Sequence, residues 1–187
     1  MQNKYCNKRI FVFDTETTGL PLPKRVPLDK QPRIVELGIV IFEGSTIIQE
    51  VAQSLDPKVF ITPEITKING ATNENRKGLP TFAEFLPTMV DYFSGCDVLV
   101  AHNAPFDVQM LAMELDRISH VTNLNFPWPP TILCTVQEYY HHFGFRPSMQ
   151  KLYEHIMGKP LEQTHRALDD AKALTEILIT DNFSERL

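Results

Sequence analysis

In the stretch FVFDTETTGL, residues 11–20, an apolar run ends in two carboxylates one residue apart, Asp14 and Glu16, followed by two threonines and a glycine. On an extended backbone such a pair points to one side with its side chains about 6 to 7 Å apart, a spacing that can hold hard cations. Alone, a D-x-E after an apolar run is more often a cap or a solvated turn. Two further stretches repeat the design. In VLVAHNAPFDVQML, residues 98–111, an apolar run ends in polar residues, Pro105 takes the favoured first position of a helix, and Asp107 falls in its first turn. An acid there also complements the helix dipole. In THRALDDAKALTEIL, residues 164–178, His165, Asp169 and Asp170 gather around the start of another helix. Carboxylates delivered by three separate element ends repel one another unless a cation joins them, so the pattern points to metal-ion chemistry with a histidine beside it.

The elements that must position these groups alternate between strand and helix. Arg9 to Phe13 reads as a first strand, Ile34 to Phe42 as a second, and the turn EGS leads into a third, Thr46 to Val51, completing an antiparallel meander. After a loop containing the short turn PEITKING comes a helical pattern over Thr81 to Phe93, with Pro87 expected to kink it. Asp97 to Ala101 and Thr131 to Thr135 read as fourth and fifth strands; Pro105 to Leu115, Val136 to Phe143, Met149 to Met157 and Arg166 to Ile179 read as helices. This is an α/β or α+β pattern around one mixed sheet. The Pro-rich, charged loop GLPLPKRVPLDKQP directly after the first acidic pair is expected to border the site.

A chain of 187 residues, 43% hydrophobic, fits one domain spanning residues 1–187. The polar start and the lack of a long apolar run imply no membrane partner and a cytoplasmic protein. Cys6, Cys96 and Cys134, odd in number and far apart, suit reduced thiols rather than bridges or a zinc cluster. A formal charge of −5 argues against broad electrostatic grip on a long nucleic acid, though not against a short, metal-mediated contact.

DTETTG, HNAPFD and HRALDD, in that order, resemble the three motifs of the DEDDh 3′-to-5′ exonucleases, the group that includes the DnaQ-type proofreading subunits of bacterial DNA polymerase III. RIVELGIV, ITPEITKINGAT and LPTFAEF, between the motifs, are also similar to that family, so the likeness covers nearly the whole chain. It implies a ribonuclease H-like fold with a mixed five-stranded sheet flanked by helices. It implies Asp14, Glu16, Asp107 and Asp170 as carboxylates for two Mg²⁺ or Mn²⁺ ions, and His165 as general base in phosphodiester hydrolysis that releases nucleoside 5′-monophosphates. By the same likeness Thr17, Gly19 and Leu20 fall near the terminal nucleotide, with Leu20 as an apolar wedge, and Glu36 and Phe106 line the pocket. Asn69 departs from the resemblance, where a histidine is usual. His102 is expected to be structural, and His141 and His142 to be surface residues. The partner implied is a single-stranded DNA 3′ end, with RNA an open alternative, and a DNA polymerase is a further candidate. With the last helix ending close to Leu187, a stand-alone enzyme and a minimal polymerase subunit are both compatible.

Two readings from other classes stand beside this one. An apolar strand followed by DTETT also resembles the D-x-D-x-T nucleophile motif of haloacid dehalogenase-type phosphatases, with Glu in the third place. An inactive nucleic-acid-binding module could keep the exonuclease fold, although all five motif residues are present. Helix phasing separates the adjacent acids: at about 100° per residue Ala167, Asp170, Ala171, Leu174 and Leu178 share the stripe facing the sheet, while Asp169, Lys172, Ala173 and Glu176 face away. His165 would point away from the site if it were helical, so the helix is expected to start near Arg166.

Overall fold

The computed structural model describes residues 8–119 and 125–183, and Cys6 lies outside them. Five strands form a single sheet in the order β3-β2-β1-β4-β5: β1 (Arg9–Thr17), β2 (Ile34–Glu43), β3 (Thr46–Ser54), β4 (Val98–Ala101) and β5 (Thr131–Cys134). The first three run antiparallel, and β4 and β5 lie parallel to β1. The first strand is longer than its apolar run suggested. It continues through Thr17 because β2 goes on pairing with it past the last phenylalanine, with Asp14 opposite Gly38 and Glu16 opposite Glu36. The first acidic pair is therefore strand, not the turn after one.

The helices are α1 (Pro63–Asn69), α2 (Asn73–Arg76), α3 (Phe82–Phe93), α4 (Ala104–Ile118), α5 (Thr135–Glu138), α6 (Tyr140–Phe143), α7 (Met149–Met157) and α8 (Ala167–Thr180). The PEITKING turn is thus a full helix, α1. Thr62 caps its start, Pro63 occupies the first turn, and Gly70 closes it with φ +71°. The helix expected over Val136 to Phe143 is split at Tyr139, whose ring is buried in the core layer that holds Ile10, Val12 and Leu152. Pro87 sits inside α3, which runs on through it to Phe93.

Strand alternation sorts the core into two layers. Phe11 and Phe13 face α3 and α4, joining Phe82, Phe85, Met89, Phe93, Met110 and Leu111. The Phe11 and Phe93 rings stack at 5.7 Å. Ile10 and Val12 face α7 and α8, joining Leu152, Tyr153, Ala171, Leu174 and Leu178. Asp14 and Glu16 continue the even-numbered face, so they emerge on the α8 side where the strand leaves its apolar cover.

One close approach sets where α8 begins. A Cβ built on Gly38 would lie 2.2 Å from the carbonyl carbon and oxygen of Ala167 and 2.4 Å from the amide nitrogen of Leu168. Only a glycine lets the first turn of α8 rest on β2, directly across from Asp14. Among the described residues no helix is long and apolar enough to cross a membrane.

Candidate active site

Four carboxylates meet where β1 runs out between the two helical layers. Asp14 and Glu16 come from β1, Asp107 from the first turn of α4 that follows β4, and Asp170 from the first turn of α8. Asp107 approaches from the opposite face of the sheet to Asp170. It is 2% exposed and its Oδ1 accepts hydrogen bonds from the Thr15 backbone N–H at 3.0 Å and the Thr15 hydroxyl at 2.8 Å. Thr15, on the odd-numbered face of β1, thereby ties the α4 acid to the strand that carries the other two. Asp170 is 6% exposed and accepts from Gln163 Nε2 at 3.2 Å.

The electrostatics are those of a cluster short of positive charge. Burial, with Asp107, Asp170, Glu16 and Glu36 adding repulsion, holds the Asp14 carboxyl well above the ordinary range. Burial pushes Glu16 up to about 7 against the lowering hydrogen bond of Asn69. Burial also pushes Asp107 up to about 7 despite the two bonds from Thr15. Asp170 is raised by burial as well. His165 stands in the turn before α8, exposed, with a ring nitrogen within 4.8 Å of carboxylate oxygens of both Glu16 and Asp170. Oxygen donors from four acids on two layers, with one imidazole at the rim, suit hard divalent ions. The residues present fit such ions, and each raised carboxyl would fall back once one is bound.

The softer positions are placed as follows. The Thr17 hydroxyl donates to the Gly19 carbonyl at 2.8 Å and closes a small turn in which Gly19 has φ +155°. Leu20 beyond it is 76% exposed, an apolar side chain standing free at the rim. Phe106 is half-buried at the start of α4 and packs partly on the α3–α4 core. Glu36, expected to line the pocket, lies beneath the surface. It is 1% exposed, and its carboxylate accepts from Arg76 Nη2 at 2.9 Å, Arg166 Nε at 2.9 Å and the Ala167 backbone N–H at 3.2 Å. Held by those donors, the carboxylate fastens the start of α8 to β2 beside the acidic cluster, where its charge adds to the repulsion on Asp14 and Glu16.

His102 takes the structural place expected of it. Nε2–H donated to the Pro147 carbonyl at 3.1 Å leaves Nδ1 to accept from the Thr135 hydroxyl at 3.0 Å, and burial pushes the imidazole down to about 4. Asn69, 4% exposed, donates to the Thr17 carbonyl at 3.2 Å and accepts from the Ala71 N–H at 3.1 Å, so it steadies the end of β1. His141 and His142 are exposed on α6. The loop after Gly19 begins at the rim, as expected. Thr18 and Arg33 close its base, and the Arg117 guanidinium of α4 holds the carbonyls of Leu28, Gln31 and Pro32.

The family model described as Exonuclease (RNase_T) matches residues 11–178. The chain belongs to this exonuclease family. It is 31% identical over 173 residues to the DNA polymerase III subunit epsilon of Treponema pallidum, covering 90% of this chain and 74% of that one. It is 35% identical over 171 residues to a DNA polymerase III of PolC type from Clostridium perfringens, covering 89% of this chain and 11% of that one. It is 32% identical to a putative bifunctional exonuclease/endonuclease protein of Mycobacterium tuberculosis, of which it spans 25%. The fold is shared with Exonuclease X in complex with 5′ overhanging duplex DNA, at TM-score 0.64 and 24% identity, covering 91% and 92% of the two chains. It is shared too with the nuclease domain of 3′hExo, a DEDDh family member bound to rAMP, at TM-score 0.72 and 17% identity, covering 95% and 92%. The mixed five-stranded sheet flanked by helices and the exonuclease family read from the three motifs therefore hold for this chain.

Around this acidic cluster, sequence reasoning missed Thr15, Gly38, Gln163, Arg76 and Arg166. Thr15 carried a signal, since an odd residue between two acids of a strand must face the opposite layer. Gly38 carried one as well, as an isolated glycine inside an otherwise apolar strand marks close backbone approach. Arg76 lies in a polar stretch far from any motif and gave no signal.

Proposed function

We propose that the chain is one exonuclease domain that hydrolyses the terminal phosphodiester at the 3′ end of single-stranded or frayed DNA, releasing nucleoside 5′-monophosphates with the help of two divalent ions, Mg²⁺ or Mn²⁺. The observation that carries this reading is the meeting of Asp14, Glu16, Asp107 and Asp170 at one strand end, with carboxyls raised by burial, and His165 at their rim. Two bound ions supply a lowered pKa for the attacking water and charge stabilisation for the leaving 3′-oxygen. The buried Asp107 and Asp170 and the half-buried Asp14 and Glu16 would hold the ions. His165 takes the proton from the water, a role worth about 10²- to 10⁴-fold in rate. Its exposure leaves that proton a short path to bulk water. The Thr17–Gly19 turn brings backbone against the terminal sugar, Leu20 wedges against the base, and Phe106 lines the pocket.

DNA is favoured over RNA because the relatives sharing 31% and 35% identity are named as DNA polymerase III proteins. The same names make a replicative polymerase the candidate partner. A phosphatase of the haloacid dehalogenase type does not suit an acidic pair, Asp169 and Asp170, carried in the first turn of a helix. The test uses matched 3′-labelled single-stranded DNA, mismatched duplex DNA and RNA, each with Mg²⁺ and with chelator. Mononucleotide release from single-stranded DNA that stops on chelation is the expected result. Faster trimming of RNA would reverse the substrate assignment, and turnover indifferent to chelator would overturn the metal mechanism.

A further inference from the structure

His165 sits at φ +53°, in the left-handed region. Histidine tolerates this better than most residues, yet it costs about 1 kcal/mol and persists only where neighbours enforce it. The enforcement is visible on both sides. Gln163 donates to Asp170 at 3.2 Å, Thr164 donates to Asp169 at 2.7 Å, and Arg166 donates through Nε to Glu36 at 2.9 and 3.2 Å. Gln163, Thr164 and Arg166 are tied down around a histidine that is itself exposed.

The Arg166 contact differs from an ordinary surface pair. Glu36 is already matched by the buried guanidinium of Arg76, which also donates to the Ser54 hydroxyl at 2.9 Å, so its charge does not require a second arginine. Arg166 is 53% exposed along its side chain, and an ion pair at that exposure adds little to global stability. What the contact does fix is the residue bonded directly to His165, at the N-cap of α8, against a carboxylate that cannot move.

We propose that Arg166 is a positioning residue for His165, with the buried Glu36–Arg76 pair as its mooring and Thr164–Asp169 as the matching tie on the other side. This rests on the reading of His165 as the base. Freed of the tie, the turn relaxes from the left-handed conformation and the imidazole leaves the edge of Glu16 and Asp170.

The experiment compares the full chain with Arg166→Ala, Thr164→Val and His165→Ala, alone and combined. In metal-free protein, the heteronuclear NOE of the His165 amide and the line shape of its ring resonances should report a rigid turn in the wild type. Both should report a mobile turn in Arg166→Ala and, to a lesser degree, in Thr164→Val, with the unfolding temperature nearly unchanged. On 3′-labelled single-stranded DNA, kcat should fall about 10- to 100-fold in Arg166→Ala while KM and Mn²⁺ affinity stay within about threefold. In the His165→Ala background Arg166→Ala should cost nothing further. A His165 turn as rigid in Arg166→Ala as in the wild type would overturn the proposal whatever the activity. A loss of kcat that persists without His165 would do so too, by showing that Arg166 acts on its own. A wild type that releases no mononucleotide would count against the exonuclease reading, and the resonance measurements would still decide the role of Arg166.

Discussion

Asp169 and Asp170 are neighbours in sequence and differ in everything that matters to chemistry. Asp170 lies on the buried stripe of α8 with Ala167, Ala171, Leu174 and Leu178, whereas Asp169 is exposed. Helix phasing separates them correctly, though it places Ala173 on the solvent side, where the structure buries it among residues that include Leu152 and Tyr153 of α7. The Tyr153 hydroxyl even reaches across to Glu176 at 2.6 Å. Asp170→Asn is therefore expected to remove most metal-dependent activity, about 10²-fold or more, and to weaken Mn²⁺ binding. Asp169→Asn keeps a carbonyl oxygen to accept from the Thr164 hydroxyl, and so should cost less than about threefold. Mn²⁺ titration and 3′-end hydrolysis on the two variants in parallel check this; a greater loss at Asp169 would mean that the site is built on the wrong face of α8.

At the level of elements, the site depends on how closely α8 can lie on β2. Gly38→Ala would put a methyl group 2.2 Å from the Ala167 backbone, and backbone on both sides leaves nothing flexible to yield. A destabilisation of about 3 kcal/mol is expected, with metal affinity falling further than in a variant of equal stability altered in the distal core, because α8 carries Asp170. Denaturant unfolding and Mn²⁺ titration of both variants measure the two effects. The elements themselves were largely legible. The apolar, β-branched run of RIVELGIVIFE and the Pro-started pattern of HNAPFD placed β2 and α4 to within a few residues. What could not be read was pairing. The extension of β1 through Glu16 depends on β2 as its partner, the break at Tyr139 on burial of its ring, and the real office of Glu36 on two arginines 40 and 130 residues away. Such contacts leave no trace in local periodicity, and so the acids at element ends were found while the groups that hold them in place were not.

For the whole molecule, the acidic cluster makes stability a function of pH and of divalent ions together. Burial pushes Glu16 and Asp107 up to about 7 in the fold from ordinary values of 4.5 and 3.8, and Asp14 and Asp170 are shifted the same way. A carboxyl whose pKa is raised by folding contributes fully below its unfolded value, and that contribution is lost as pH rises through the folded value. The metal-free protein should thus lose stability between about pH 4 and pH 7 on account of Glu16 and Asp107, with Asp14 and Asp170 acting in the same sense. His102 acts in the opposite sense over part of that range. Its pKa is lowered from 6.5 to about 4, so its contribution is present above its unfolded value and is lost as pH falls. The two are separable because the His102 ring bonds Thr135 and Pro147 rather than an ion ligand, and its contribution cancels when the same pH is compared with and without metal. Mn²⁺ or Mg²⁺ should therefore raise the unfolding temperature more at pH 8 than at pH 5.5, by about 5 °C or more in the difference. Binding near pH 6.5 should release protons, seen as a dependence of calorimetric heat on the ionisation enthalpy of the buffer. Asp14→Asn, which removes the carboxylate most crowded by others, should make the metal-free protein more stable than the wild type at pH 8 but not at pH 5, while abolishing the metal-induced rise. An equal thermal shift at both pH values, or a metal-free Asp14→Asn protein less stable than the wild type at pH 8, would show that the four acids do not form one coupled, cation-seeking cluster.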